Sequence, residues 1–215
     1  YMIAVTGTDR SLWRENVGFF PPGTPFASDA GIDVLKGPRD LDKVRREMEA
    51  AGYRGERVVL LAATDLPSLH ALGQVGNDML KKCGLNVDYV ATDWGTVVAR
   101  RASREPPERG GWSMFFTFWT GLDNIDPGVN QPIRGNGANG WWGWAKSDRL
   151  EELRAAWFDA PDLATQQGIT RQMQALAFEE APTLPCGQYF QMTAYRRSLT
   201  GVPQGIPAFW GLKKA

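Results

Sequence analysis

The feature that most constrains the fold is an uninterrupted apolar run from Val58 to Ala63, which lies between two helical patterns. A run of this length is typical of a buried strand. The helix before it is predicted over residues 40–51 and ends at Gly52. The helix after it is predicted from Pro67 to Cys83. A buried strand flanked by helices indicates the α/β class.

The rest of the chain continues this alternation. Apolar content predicts further strands at residues 2–5, 85–90, 112–119 and 184–194. Capping residues predict further helices that start near Asp93, Asp148 and Asp162. Periodicity places Val44 and Phe158 on the inner faces of their helices. This order predicts a single α/β lobe with a mixed sheet covered by helices, and a long loop at residues 120–146.

The charge balance narrows the choice of partner. The 215 residues include 24 Lys and Arg and 24 Asp and Glu, so the formal net charge is zero. Nucleic acids and anionic membranes select a basic surface, and we therefore expect no nucleic-acid partner. The basic clusters at residues 43–46 and 100–104 are interpreted as solvated surface. No apolar run has the length of a membrane span.

Residues with catalytic chemistry are sparse in this sequence. Its one histidine, His70, cannot form a zinc triad alone, and neither a nucleophile elbow nor a phosphate loop is present. We expect no cofactor and no metal. Cys83 and Cys186 are interpreted as buried free thiols, with a disulfide as the alternative. Asp123 and Asp126 are the one carboxylate pair beside aromatic residues, as in glycosidases.

The stretch RGNGANGWWGW, residues 134–144, matches the G-x-G-x-x-G pattern of dinucleotide-binding loops. Such a loop follows a buried strand and opens a helix. Here a polar stretch broken by proline precedes the glycines, and no acidic residue follows at the distance of a ribose contact. We interpret the run as a mobile or tightly turned loop that carries aromatic side chains.

The aromatic residues around this loop are the best candidates for a ligand site. A glycine-rich loop is a poor place to bury three indoles for stability alone, and small-molecule clefts combine aromatic surface with a few polar groups. We predict ligand contacts for Trp119, Asp123, Trp141, Trp142 and Trp144. Core packing is the alternative for the indoles, and a local backbone cap or turn is the alternative for Asp123 and Asp126.

Several segments, taken in order, resemble the extracellular solute-binding proteins of family 5. LDKVRREMEAAGY, residues 41–53, is similar to a helix of that family, and residues 81–87 resemble its next helix-to-strand step. The segment from Trp119 to Pro127 resembles the family motif W..DY.DP, with one additional residue and with Asn124 in place of the tyrosine. The turn at residues 181–185 is also similar, so the resemblance covers roughly residues 40–202.

The resemblance implies the C-terminal lobe of a two-lobed protein with the type II periplasmic-binding fold. Residues 1–38 would then lead in from a missing N-terminal lobe, residues 39–202 would form the solute-binding lobe, and residues 203–215 would return toward the missing lobe. The start of the chain at Tyr1, directly before a predicted strand, is interpreted in the same way: as a fragment of a longer protein.

The resemblance also implies a function. Family members are periplasmic, or lipid-anchored outside the cell, and they deliver a peptide or another small solute to an ABC permease in the inner membrane. In peptide-binding members the first aspartate of the motif takes the amino terminus of the ligand, and the matching residue is Asp123. A carbohydrate-active enzyme that uses Asp123 and Asp126 remains an alternative, as does a protein-interaction domain with the aromatic loop as its contact surface.

Overall fold

The structure is a computed structural model that describes residues 1–203, 205 and 208–215. Part of the predicted tail at 203–215 therefore lies outside the described residues. The helices are α1 (Met2–Thr6), α2 (Leu41–Ala50), α3 (Pro67–Lys82), α4 (Trp94–Arg100), α5 (Asp148–Phe158) and α6 (Leu163–Glu180). The strands are β1 (Trp13–Arg14), β2 (Arg57–Ala63), β3 (Asn86–Thr92), β4 (Met114–Phe115), β5 (Gln188–Tyr189), β6 (Leu199–Thr200) and β7 (Lys213–Lys214).

A three-stranded parallel sheet in the order β3-β2-β4 forms the centre of the fold. The predicted apolar run is its middle strand, and Val59 to Ala63 are buried. The antiparallel pairs β1-β5 and β6-β7 form two separate small sheets. The predicted α/β class, with helices covering a sheet, is confirmed.

Helix ends follow the local signals in the sequence. Asp93 accepts from the backbone N–H of Thr96 at 2.9 Å, and Asp162 accepts from that of Thr165 at 2.8 Å, so both cap helices as predicted. At α5 the prediction is off by one residue, because Ser147 is the cap and accepts from the N–H of Leu150 at 3.2 Å. Asp148 is the first helical residue instead.

Three predicted strands are wrong in whole or in part. Residues 2–5 belong to helix α1, and the segments 112–119 and 184–194 contribute only two strand residues each. The aromatic side chains of 112–119 pack against other rings instead of lining one strand. The ring centroids of Trp112 and Phe115 are 5.0 Å apart, and those of Phe116 and Tyr1 are 5.8 Å apart. In 184–194, Gly187 has a φ of 137°, outside the strand region, directly before β5.

Two clusters of buried side chains form the core. One covers the sheet and includes Val59, Leu61, Leu69, Leu72 and Val97. The other lies between α5 and α6 and includes Phe19, Phe20, Phe26, Leu150, Trp157 and Met173. The three phenylalanines belong to residues 1–38, so this irregular segment packs into the lobe; its boundary remains a prediction.

The predicted inner face of α2 is wrong, and the predicted inner face of α5 is wrong at one residue only. Helix α2 buries no residue, and Val44 is 37% exposed. On α5, Phe158 is 56% exposed because its neighbour Trp157 takes the buried position. Cys83 and Cys186 are free and only half-buried. Burial raises the pKa of the Cys186 thiol to about 11.

None of the helices in the described part of the chain combines the length and apolar character that a bilayer crossing requires.

Candidate ligand-binding site

Residues 134–147 form a loop that directly precedes α5 in the chain and is closed by hydrogen bonds between its two ends. Ser147 donates its N–H to the carbonyl of Gly135, and Gly137 donates to Ala145, both at 2.9 Å. The chain turns back through left-handed residues, with φ of 107° at Gly143 and 51° at Trp144. A 3-10 turn at Gln131–Ile133 precedes the loop where a dinucleotide site would have a strand. The glycine run is therefore the tight, aromatic-bearing turn that the sequence indicated.

The base of this loop is attached to α5. The Glu151 carboxylate accepts from the backbone N–H of Gly135 at 2.9 Å and from Nε of Arg134 at 3.1 Å. A Cβ on Gly135 would lie 2.9 Å from the backbone nitrogen of Ser147 and closer still to its carbonyl oxygen. Only glycine allows this approach, and the approach fixes the loop against the residue that caps the helix.

Three of the predicted indoles form one continuous row. The rings of Trp119 and Trp141 have centroids 4.5 Å apart, and those of Trp141 and Trp142 are 4.1 Å apart. All three side chains are only partly buried. The row brings the segment after β4 together with the tip of the glycine loop. The indole surface of the row is partly accessible to solvent, and contacts between the rings hold the side chains in place.

Trp144 lies apart from that row. Its ring packs against Trp112 at 6.1 Å, and the guanidinium of Arg104 lies 4.7 Å from its ring centroid. Arg104 also donates to the carbonyl of Ala138 at 2.8 Å. The structure thus brings together Trp119, Trp141 and Trp142, and it places Trp144 in a separate contact that attaches the loop to the segment after α4.

Arg101, the residue directly after α4, packs against the row. Its guanidinium carbon is 3.7 Å from the ring centroid of Trp142 and 5.1 Å from that of Trp141. The side chain is buried, and burial lowers the pKa of its guanidinium from the ordinary value. The prediction of a solvated surface for residues 100–104 is therefore wrong at this position.

One sequence signal could have identified Arg101. It follows Trp94 and Val97 at the spacing i, i+3 and i+7, so it falls on the inward face of α4. Because the neighbouring residues in the sequence are also basic, Arg101 was interpreted as part of a solvated surface. Arg100 on its other side donates to the carbonyl of Gly110 at 2.9 Å.

Asp123 follows Trp119, the first indole of the row, by four residues in the chain. One carboxylate oxygen, Oδ2, accepts from the backbone N–H of Thr120 at 3.0 Å and from its hydroxyl at 2.8 Å. The local-cap interpretation therefore holds for Oδ2 of the carboxylate. Oδ1 takes part in no hydrogen bond with the described residues, and the side chain is partly exposed. A ligand role for Asp123 stays a prediction.

Asp126 is used within its own turn. Its Oδ1 accepts from the N–H groups of Gly128 at 2.7 Å and Val129 at 3.2 Å, as the turn interpretation predicted. The following carbonyls of Pro127 and Gly128 are bound by Arg154 at 2.8 and 3.3 Å. Nothing in this arrangement prepares Asp126 for acid–base chemistry. Within the described residues, His, Cys, Asp and Glu form no group of three that could hold a metal ion.

Sequence comparison identifies a relative that is similar to nearly the whole chain. No protein-family model matches the chain. A protein of Sinorhizobium fredii, named as a probable peptide ABC transporter periplasmic-binding protein, is 33% identical over 202 residues, which are 94% of this chain and 35% of the relative. The chain therefore spans about a third of the length of this relative.

Solved structures share the fold of this chain. The ABC transporter substrate-binding protein CtaP of Listeria monocytogenes matches with a TM-score of 0.70 at 14% identity, over 87% of this chain and 37% of its own. A dipeptide-binding protein of Pseudoalteromonas, solved in complex with Met-Leu, matches with a TM-score of 0.67 at 16% identity, over 95% and 39%. In sequence and in fold, the chain is therefore similar to one part of the family 5 solute-binding proteins of ABC transporters.

Proposed function

We propose that the chain is the C-terminal lobe of the substrate-binding component of an ABC importer. It would bind a small solute, a peptide or a peptide-like compound, in the cleft between two lobes. The protein would work in the periplasm, or anchored outside the cell, and would pass its solute to an ABC permease in the inner membrane. Its role is binding without catalysis.

The observation that carries this proposal is the row formed by Trp119, Trp141 and Trp142. The row follows β4, the edge strand of the parallel sheet, and in open α/β sheets ligands bind beyond the carboxyl ends of the strands. Partly exposed aromatic surface with a carboxylate beside it is the composition of a solute cleft. Asp123 supplies that carboxylate, and its free oxygen is suited to a ligand amine.

The mechanism follows from two lobes and one aromatic surface. The open form leaves the indole row in water, and a solute that contacts both lobes binds the closed form more tightly. Binding then shifts the population toward the closed form. The permease can recognise that form. In this scheme the lobe needs no moving part of its own, because the loop is already attached to α5 through Glu151 and Gly135.

Thermal unfolding of the full-length protein that carries this lobe tests the proposal. Di- to pentapeptides, sugars and nickel are added separately, and a bound solute raises the melting temperature by mass action. We expect peptides to raise it and Asp123→Asn to remove most of the shift, since asparagine can keep the Thr120 hydrogen bonds but lacks the charge. Asp126→Asn is the matched control and should keep the shift. A shift with sugars or nickel alone would refute the peptide ligand, and no shift with any solute would refute the function.

A further inference from the structure

Arg101 is a buried cation that is surrounded by aromatic rings. It is 8% exposed, and its Nε has no hydrogen-bond partner among the described residues. Removing a charge from water is unfavourable unless other groups compensate. Cation–π contacts provide that compensation here, because the ring centroids of Trp142, Trp141, Trp94 and Phe115 lie 3.7, 5.1, 5.3 and 5.8 Å from the guanidinium carbon.

The backbone of Arg101 is fixed to the core of the lobe. Its N–H donates to the carbonyl of Val97 at 2.9 Å, and Val97 is a fully buried member of the sheet cluster. Its carbonyl accepts from the indole N–H of Trp112 at 3.0 Å. The side chain therefore extends to the row from a rigid base, so the position of α4 determines where the guanidinium lies.

The two indoles that Arg101 contacts are weakly restrained by their own backbone. Trp141 and Trp142 lie at the tip of the loop, whereas the hydrogen bonds that close the loop join its two ends. Gly140 and Gly143 flank the pair, and glycine limits the backbone conformation less than any other residue. The orientation of these rings therefore depends on their contacts with one another, with the first indole of the row and with the guanidinium.

We propose that Arg101 is the positioning residue of the indole row, and that its guanidinium fixes the orientation of Trp142 and Trp141 without contacting the solute. This inference rests on the proposed solute-binding function. Aromatic contacts depend on ring orientation, and a surface that is ordered in advance avoids the cost of ordering it on binding. An apolar side chain could fill the same space, but it would lack the attraction of a cation to ring faces. This attraction is a reason to retain a charge at a buried position.

The test follows the indole signals and the affinity of the full-length protein. Arg101→Met keeps an unbranched side chain and removes the charge. Stacked rings shift each other's NMR signals, so the indole N–H signals of Trp141 and Trp142 should move toward those of an exposed indole. Phenylalanine variants of each residue assign the signals. Calorimetry with di-, tri- and tetra-alanine should show the Kd rising roughly 10-fold, within the range of a desolvated cation–π contact, and equally for free acids and C-terminal amides.

Arg10→Met is the matched control, because the guanidinium carbon of Arg10 lies 3.8 Å from the ring centroid of Trp13, outside the row. It should leave the two indole signals and the Kd unchanged. Arg101→Lys keeps the charge without the planar guanidinium, and it should restore part of the signal shifts and of the affinity. This variant also serves if Arg101→Met does not fold.

Two results would overturn the positioning role. One is that both indole signals of Arg101→Met stay at their wild-type positions. The other is a loss of affinity for the free acids alone, which would make Arg101 a residue that contacts the solute. If the wild-type protein binds no peptide, sugar or nickel, the proposed function fails, and the indole signals alone then decide whether Arg101 orients the rings.

Discussion

At the scale of single residues, the contact between Gly135 and Ser147 supports both the aromatic loop and the start of α5. A methyl group on Gly135 would overlap with the backbone of Ser147. We expect Gly135→Ala to lower the free energy of unfolding by about 1–3 kcal/mol, the usual cost of overpacking. Urea unfolding monitored by circular dichroism measures the change.

Gly168→Ala is the control for that substitution. Gly168 lies inside α6, it is exposed, and a Cβ there would meet no atom within 4 Å. Alanine should stabilise the lobe by about 0.5–1 kcal/mol, because it has the higher helix propensity. If both variants change stability in the same direction, the close approach at Gly135 is not the reason for the glycine.

Single residues also show which features of the candidate site could be predicted from the sequence. The indoles of the loop could be selected from the sequence because three of them lie among glycines. The inward position of Arg101 on α4 could be predicted from its spacing, but the rings around it and the lack of a paired acid among the described residues could not. Those are long-range facts that no local pattern contains. By contrast, the local roles of Asp126 and of Oδ2 of Asp123 were predictable from turn chemistry.

At the scale of elements, α2 and α3 differ in what they bury. Leu69 on α3 is 1% exposed and belongs to the sheet cluster, whereas Val44 on α2 is 37% exposed. Leu69→Ala should lower the free energy of unfolding by about 2–5 kcal/mol. Val44→Ala should change it by no more than about 0.5 kcal/mol. Thermal and urea unfolding of both variants give the comparison, and a large effect at Val44 would show that α2 is packed in solution.

Helices were predicted more accurately than strands for a physical reason. Caps such as Asp93 and Asp162 act within one turn, so the sequence next to the helix determines where it starts. A strand needs a partner elsewhere in the chain. The segments 112–119 and 184–194 are apolar enough for strands, but their side chains pack on distant rings and only two residues of each find a pairing partner.

At the scale of the whole molecule, Gln174 joins the amino-terminal segment to α6. Its Oε1 accepts from the N–H of Phe19 at 3.2 Å, and its Nε2 donates to the carbonyls of Ser28 and Ala30 at 3.0 and 2.9 Å. The side chain is fully buried. Gln174→Met keeps the approximate volume but leaves these backbone groups unsatisfied, and it should lower the free energy of unfolding by about 2–4 kcal/mol.

Gln172→Met is the matched control for this link, because Gln172 is exposed on the same helix. Its effect should stay within about 0.5 kcal/mol. Limited proteolysis adds a second measurement, since loss of the Gln174 bonds should expose the segment around residues 18–30 to cleavage first. If the two variants are equally stable, the amino-terminal segment is held by its phenylalanines alone.

The stacked indoles also have a spectroscopic consequence. Trp141 and Trp142 have ring centroids 4.1 Å apart, and Trp119 adjoins them. The electronic transitions of chromophores at this separation mix, which produces paired positive and negative circular dichroism bands of a kind that isolated tryptophans do not give. A molecule that settles against the row would alter the coupling between rings. The lobe therefore carries an intrinsic optical reporter, and binding of a molecule to the row can be followed without any attached dye.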